Sequence, residues 1–310
     1  MNSKRRLMFA AILLLAMGGR AVSEGAALFA APVSAAQASR QPLRAMRLRD
    51  VRGRGLIVSV WVNSAGPFAF AVDTGAGATI VSKRVAAAAQ LRVRTDRTRS
   101  IAGLSGRATT AHDAALRTLA VGESTNYVSG SRDVVVTSAL PGDIDGVLDP
   151  TEAFSPLGYV IDIPRLELST FDAQVAPLRI DDRPDDGAVV RWLWRGPTRR
   201  PFVQLDNGDR ALIDTGSSLG LAIATNSSFD RRGVSYSRDI GEGQISSRRV
   251  QPTTVAIGAL TLRNVPTDVI SGAHADAPVL LGLSALRPFR LVFDPVNRLI
   301  EIAPVDRRRR

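Results

Sequence analysis

Phe68-Ala69-Phe70-Ala71-Val72-Asp73-Thr74-Gly75-Ala76 is the stretch on which the fold turns, because the chain writes it twice. At Arg210-Ala211-Leu212-Ile213-Asp214-Thr215-Gly216-Ser217 a second apolar run ends in Asp-Thr-Gly, 141 residues after the first. Each copy is entered through a hairpin signal. Residues 58–62 lead through Asn63-Ser64-Ala65-Gly66-Pro67 into the first copy. Residues 202–205 lead through Asp206-Asn207-Gly208-Asp209 into the second. A short Asn- and Gly-containing turn between two apolar runs predicts antiparallel strands.

The likeness continues downstream in the same order. Gly103-Leu104-Ser105-Gly106 is matched by Gly241-Glu242-Gly243, Leu119-Ala120-Val121-Gly122 by Val255-Ala256-Ile257-Gly258, and Asp133-Val134-Val135-Val136 by Asp268-Val269-Ile270. Val147-Leu148-Asp149 answers Leu280-Leu281-Gly282. Tyr159-Val160-Ile161-Asp162 answers Leu291-Val292-Phe293-Asp294. The sequence therefore predicts an all-β protein of two homologous lobes, at residues 44–175 and 201–305. A Pro-, Asp- and Arg-rich linker at 176–200 separates them, and residues 188–194 within it offer an extra strand. Helix is sparse: residues 82–91, with Ser82 as N-cap and an alanine-rich body, are the best candidate.

Composition narrows the chemistry. The chain of 310 residues is 45% hydrophobic, which supports a packed core and excludes a wholly disordered chain. It has no cysteine and two histidines, His112 and His274. Disulfides, thiolate catalysis, cysteine-bound zinc and multi-histidine metal sites are thereby excluded, and no cofactor is expected. Both histidines lie near polar loop segments and are expected to be exposed or locally bonded. The net charge of +11 is carried almost wholly by arginine. With aromatics at only 5%, the basic clusters lack the stacking partners of a nucleic-acid surface, and no nucleic-acid partner is expected. Residues 1–38 form a signal peptide by pattern: Lys4, Arg5 and Arg6, an apolar run at 7–17, and Ala36-Gln37-Ala38 as the cleavage site, with Ser23 as the second candidate. The run is too short to span a bilayer. The product is expected in the periplasm or outside the cell, without stable membrane insertion.

A carboxylate just past a buried strand projects from the end of a sheet. Two such turns related by a pseudo-twofold can bring Asp73 and Asp214 together, and like charges that close share one proton. A water between them can lose a proton to one carboxylate and attack a carbonyl, while the other carboxyl protonates the carbonyl oxygen. Gly75 and Gly216 permit the turns and expose backbone N–H groups, and the hydroxyls of Thr74 and Thr215 can bond across the pseudo-twofold. Ala76 and Ser217 follow the two motifs. A Ser217 hydroxyl donating to Asp214 would favour the ionised form of Asp214.

Val72-Asp73-Thr74-Gly75-Ala76 with Thr79-Ile80-Val81-Ser82, and the runs at 260–269 and 279–290, resemble the bacterial retropepsin-like aspartic proteases over about residues 50–305. The resemblance implies the acid-protease fold, two closed, barrel-like β lobes with a cleft between them, and an aspartic endopeptidase acting on peptide or protein substrates. Asp73 and Asp214 would be its dyad, and Thr74, Gly75, Ala76, Thr215, Gly216 and Ser217 would support them. Flaps would lie at Gly103, Leu104, Ser105 and Gly106 and at Gly241, Glu242 and Gly243. Both lobes in one chain imply a monomer, as in pepsin-like enzymes. Three departures stand out: Asp149 replaces a glycine, Ala76 differs from Ser217, and neither flap tip holds tyrosine. They motivate an alternative, a catalytically silent peptide-binding protein of the same fold in the cell envelope. Three weaker readings fall away. Ile80 occupies the third glycine position of a dinucleotide fingerprint beginning at Gly75. Asp143-Ile144-Asp145-Gly146 lacks the later ligands of a calcium loop. Gly282-Leu283-Ser284 lacks the final glycine of a nucleophile elbow.

Overall fold

The two hairpins that carry the Asp-Thr-Gly motifs form as their turn residues require. Strand Gly55–Val62 returns as Ala65–Val72 through Asn63 and Ser64, both with positive φ, the geometry of a tight hairpin turn. Strand Thr198–Gln204 returns as Arg210–Asp214. The computed structural model describes residues 41–305 except 131, 141–142, 196–197, 228, 230–232 and 241. The expected signal segment, the terminal arginines at 307–310 and flap residue Gly241 lie outside the described residues.

The architecture is all-β, with three short helices among the described residues: Lys83–Ala88, Pro150–Ala153 and Leu283–Leu286. Ser82 caps the first, its Oγ accepting from the Val85 N–H at 3.2 Å. Among the described residues the order of elements is not the βαβ alternation that the dinucleotide reading requires.

A seven-strand order recurs in the two halves. The first runs Arg92–Ala102, Ala108–Leu116, Arg132–Thr137, Ile80–Ser82, Gly146–Leu148, Ala65–Val72, Gly55–Val62. The second runs Val234–Arg238, Gln244–Ile257, Leu260–Ser271, Leu221–Ala224, Val279–Gly282, Arg210–Asp214, Thr198–Gln204. Register corrects one match made from sequence. Ile80 pairs with Val135 while Ala222 pairs with Asp268, so Asp268 corresponds to Val135 and not to Asp133. Asp268 is buried, accepts from the Gly220 N–H at 2.8 Å and is paired with Arg249.

A third sheet joins the halves. Its order is Met46–Arg47, Glu167–Phe171, Gly158–Asp162, Phe289–Asp294, Leu299–Pro304, Ala188–Arg191. The central pair links the two closing runs, Tyr159 opposite Phe293 and Ile161 opposite Leu291. The Tyr159 and Phe293 rings stack at 4.6 Å, and Trp192 meets Phe293 edge-on at 5.9 Å. Strands Ala188–Arg191 and Leu193–Arg195 occupy part of the segment read as linker, so that segment is built into the sheets. One apolar cluster runs from Val58 and Phe70 through Tyr159 and Phe293 to Ile213 and Leu281. The described residues accordingly form one compact unit.

Candidate active site

The strands that deliver the two aspartates are buried on both faces at their ends. Phe70, Ala71 and Val72 precede Asp73, and Ala211, Leu212 and Ile213 precede Asp214. A strand end held in this way aims the following turn with little freedom. Asp73 N–H donates to the Leu148 carbonyl at 3.0 Å, continuing the parallel pair of Ala65–Val72 with Gly146–Leu148. In the other half the parallel pair runs on until Asp214 stands opposite Gly282.

The threonines lock one turn to the other. Thr74 N–H donates to Thr215 Oγ1 at 3.2 Å, and Thr215 N–H donates to Thr74 Oγ1 at 3.1 Å. Thr74 Oγ1 donates to the Ile213 carbonyl at 2.6 Å, and Thr215 Oγ1 to the Val72 carbonyl at 2.8 Å. Each hydroxyl thus accepts from one residue of the opposite turn and donates to the backbone that enters it. Both threonines are buried, so each bond also satisfies a group that water cannot reach.

Across this lattice the carboxyls of Asp73 and Asp214 hydrogen-bond to each other. Each is seated on the other turn's glycine. A Cβ on Gly75 would lie 2.8 Å from Asp214 Cγ, and one on Gly216 would overlap the Asp73 carboxyl. Within its own turn, Asp73 Oδ1 accepts from Gly75 N–H at 2.8 Å. Asp214 Oδ1 accepts from the N–H groups of Gly216 at 2.9 Å and Ser217 at 3.0 Å.

Burial pushes both acids above the ordinary carboxylate range. Asp214 goes far higher, because the Asp73 charge and the bond to it favour the protonated form. Asp73 is held down by the Gly75 N–H, by the proton that Asp214 shares with it, and by the Arg200 guanidinium. The two carboxyls therefore share one proton between them, and the Arg200 guanidinium favours negative charge on Asp73. The expectation built on Ser217 needed a hydroxyl bond to Asp214. The Ser217 hydroxyl accepts from Leu219 N–H at 3.3 Å, and it is the Ser217 amide that serves Asp214.

Arg200 went unnoticed in the sequence. It lies on Thr198–Gln204, crosses to the first turn, and donates from Nη2 to the Ala76 carbonyl at 3.2 Å. Nothing in the run Thr198-Arg199-Arg200-Pro201 separates it from other arginines; only the crossing of the halves selects it.

The described residues of the two hairpin tips meet. Asp239 Oδ2 accepts from Ser105 N–H at 2.6 Å, and Oδ1 accepts from Ser105 Oγ at 3.0 Å. His274 N–H donates to the Leu104 carbonyl at 3.1 Å. Gly103 and Gly243 fit against Asp239 and Ser105 with no room for a side chain, and Gly106 packs on His274. Glu242 lines a cavity of about 410 Å³ beside the tips, with Ser105, Arg107, Gly243 and Gln244. Leu104 packs on a cluster of the second half that includes Phe202, Leu212 and Leu280. Ile240 packs on one of the first half with Ile80, Val135 and Val147. Ala76 and Ala78 of the first turn join the Ile240 cluster, and Leu219 of the second joins that of Leu104, so the crossed tips reach the aspartate turns.

Other sequence candidates have local roles. His112 sits inside strand Ala108–Leu116, not in a loop, opposite Val136. Asp145 accepts from Ala69 N–H at 2.8 Å and pairs with Arg84. Ser284 Oγ donates to the Ser218 carbonyl at 2.7 Å. Asp149 is 2% exposed, and its Oδ1 accepts from Thr151 N–H at 2.9 Å as the cap of Pro150–Ala153. Burial pushes its carboxyl up to about 7.

Comparison with known families follows this geometry. Residues 58–148 match a family model described as aspartyl protease. The match supports an aspartyl protease. It covers the first Asp-Thr-Gly turn, its hairpin tip and the run through Leu148, and it implies hydrolysis of peptide substrates. None of the curated proteins matches the chain.

Three outcomes are expected. Thr215→Ala leaves the Thr74 N–H and the Val72 carbonyl unpaired and lowers the unfolding free energy by about 1–3 kcal/mol, whereas Thr215→Ser loses less; urea denaturation measures both. Asp149 binds a proton more tightly folded than unfolded, so it lowers stability as pH rises through that window. Wild type should lose about 1.4 kcal/mol per pH unit relative to Asp149→Asn from about pH 4 to about pH 7, with a constant difference outside it. Asp239→Ala should speed amide hydrogen exchange at residues 103–106 and leave strand Arg210–Asp214 protected, as read by mass spectrometry.

Proposed function

We propose that the chain is an exported, monomeric aspartic endopeptidase of the bacterial retropepsin-like type, with two Asp-Thr-Gly half-modules in one chain. The reciprocal seating of the two carboxyls, each bonded to the other and resting on the other's glycine, is the observation that carries this reading. The family match over residues 58–148 supports it from one half. Export is inferred from the basic start, the apolar run at 7–17 and the small-residue site ending at Ala38.

The proton inventory of the pair suits hydrolysis without a covalent intermediate. Asp73, the charged member, takes a proton from a water held between the carboxyls, and the oxygen of that water attacks the peptide carbonyl. Asp214 gives its proton to the carbonyl oxygen. When the tetrahedral carbon collapses, the C–N bond breaks, Asp73 passes its proton to the leaving nitrogen, and Asp214 recovers one from the diol. The hairpin tips must part to admit an extended segment and can close over it again. Activity belongs to acid and mildly acid pH, where the pair keeps one proton.

The purified chain should cut a diverse peptide library, with products read by mass spectrometry. Asp73→Asn and Asp214→Asn should each lower the rate by about 10³-fold or more while keeping the wild-type circular dichroism. Full activity in either variant would falsify the dyad. Binding of peptides without cleavage from pH 3 to pH 7 would establish the silent alternative instead.

A further inference from the structure

Asp149 occupies the place that Gly282 holds in the other half, and the two halves are built differently around it. A Cβ on Gly282 would run into the Leu219 carbonyl and lie 3.0 Å from that of Ser217, so no side chain fits there. In the first half the connection from the aspartate to its next strand is one residue shorter: Ile80 stands opposite Val147, where Ala222 stands opposite Leu280. The Thr79 hydroxyl, not a main-chain carbonyl, receives the Asp149 N–H at 3.3 Å. That leaves space for a buried carboxyl next to the strand end that delivers Asp73, whose own N–H is tied to Leu148, the residue before Asp149.

The charged and titratable groups around it are few. Asp73 faces it across the strand pair, and Glu152 lies on its own helix. From Gly158–Asp162, the Tyr159 hydroxyl bonds Thr151 Oγ1 at 2.9 Å. From Arg132–Thr137, Arg132 directs its guanidinium to the carbonyls of Glu152, Ser129 and Ser155. From Thr198–Gln204, Arg199 reaches Ser155 Oγ at 3.5 Å. Both arginines thus point their bonds elsewhere, and the Asp149 carboxyl is served by backbone N–H groups of its own helix.

We propose that Asp149 is a positioning residue for the aspartate pair, whose charge sets the pH at which Asp73 and Asp214 release the proton they share. The proposal rests on reading that pair as the catalytic dyad. In acid, Asp149 is neutral and leaves the pair alone. Near pH 7 it loses its proton, and a negative charge then stands beside Asp73. A like charge favours retention of the shared proton, so the singly protonated pair persists to higher pH. Asp149 thereby extends the working range toward neutrality, and the glycine of the other half cannot.

Asp149→Asn tests this, because asparagine keeps the cap and the volume and loses the charge. The purified chain and the variant are assayed on fluorescein-labelled casein across pH, and their ¹³C-labelled aspartate carboxyls are titrated by NMR. The expected result is an unmoved acid-limb midpoint. The alkaline limb, and the upper titration step of the pair, should both shift to lower pH by about half a unit or more. Coincident alkaline limbs and upper steps overturn the proposal. A shifted upper step with no casein cleavage sustains the coupling and sinks the peptidase reading, whereas cleavage with coincident profiles does the reverse. Should Asp149→Asn fail to fold, Asp149→Ser retains a capping oxygen and must give the same shift.

Discussion

Two carboxyls that repel one another when ionised are held in hydrogen-bonding contact, and the structure is organised around supplying that constraint. The threonine lattice does so most directly. Its four bonds tie Thr74 to the backbone around Ile213 and Thr215 to the backbone around Val72, so neither turn can shift without stranding buried donors on both. Glycine at 75 and 216 then allows the approach that any Cβ would block. Repulsion is relieved by sharing one proton, which is also the state that lets one group act as base and the other as acid.

The halves meet at three levels. Below the turns, the six-stranded sheet pairs Gly158–Asp162 with Phe289–Asp294 and stacks Tyr159 on Phe293. At the turns lies the threonine lattice. Beyond them, the hairpin tips cross, with Asp239 gripping Ser105 and the apolar residues Leu104 and Ile240 each resting in the opposite half. The lower two levels are buried and rigid. The uppermost depends on a few polar bonds and partly buried contacts, and so is the level able to open.

Near-symmetry makes the departures informative. Arg200 and Asp149 both act on the Asp73 side, one as a cation and one as a buried acid, and together they distinguish two carboxyls that the duplication would have left equivalent. The sequence exposed Asp149 as a broken repeat but not what surrounds it. Arg200 left no trace, since its meaning lies in a crossing between halves. The Ser217 hydroxyl accepts from Leu219 N–H, a local bond that a reading of the sequence does not anticipate.

Much was settled by order along the chain. The duplicated Asp-Thr-Gly motifs, the Asn- and Gly-bearing turns before them and the Ser82 cap were readable because turn geometry and capping are local properties of a few residues. From these came the all-β class, the repeated strands and the pairing of Asp73 with Asp214. Tertiary structure alone decided which arginine faces Asp73, that the two tips lock together, and which strands residues 188–195 pair with. Those outcomes depend on desolvation and on charges brought together from distant segments, and neither quantity is defined until the chain has folded.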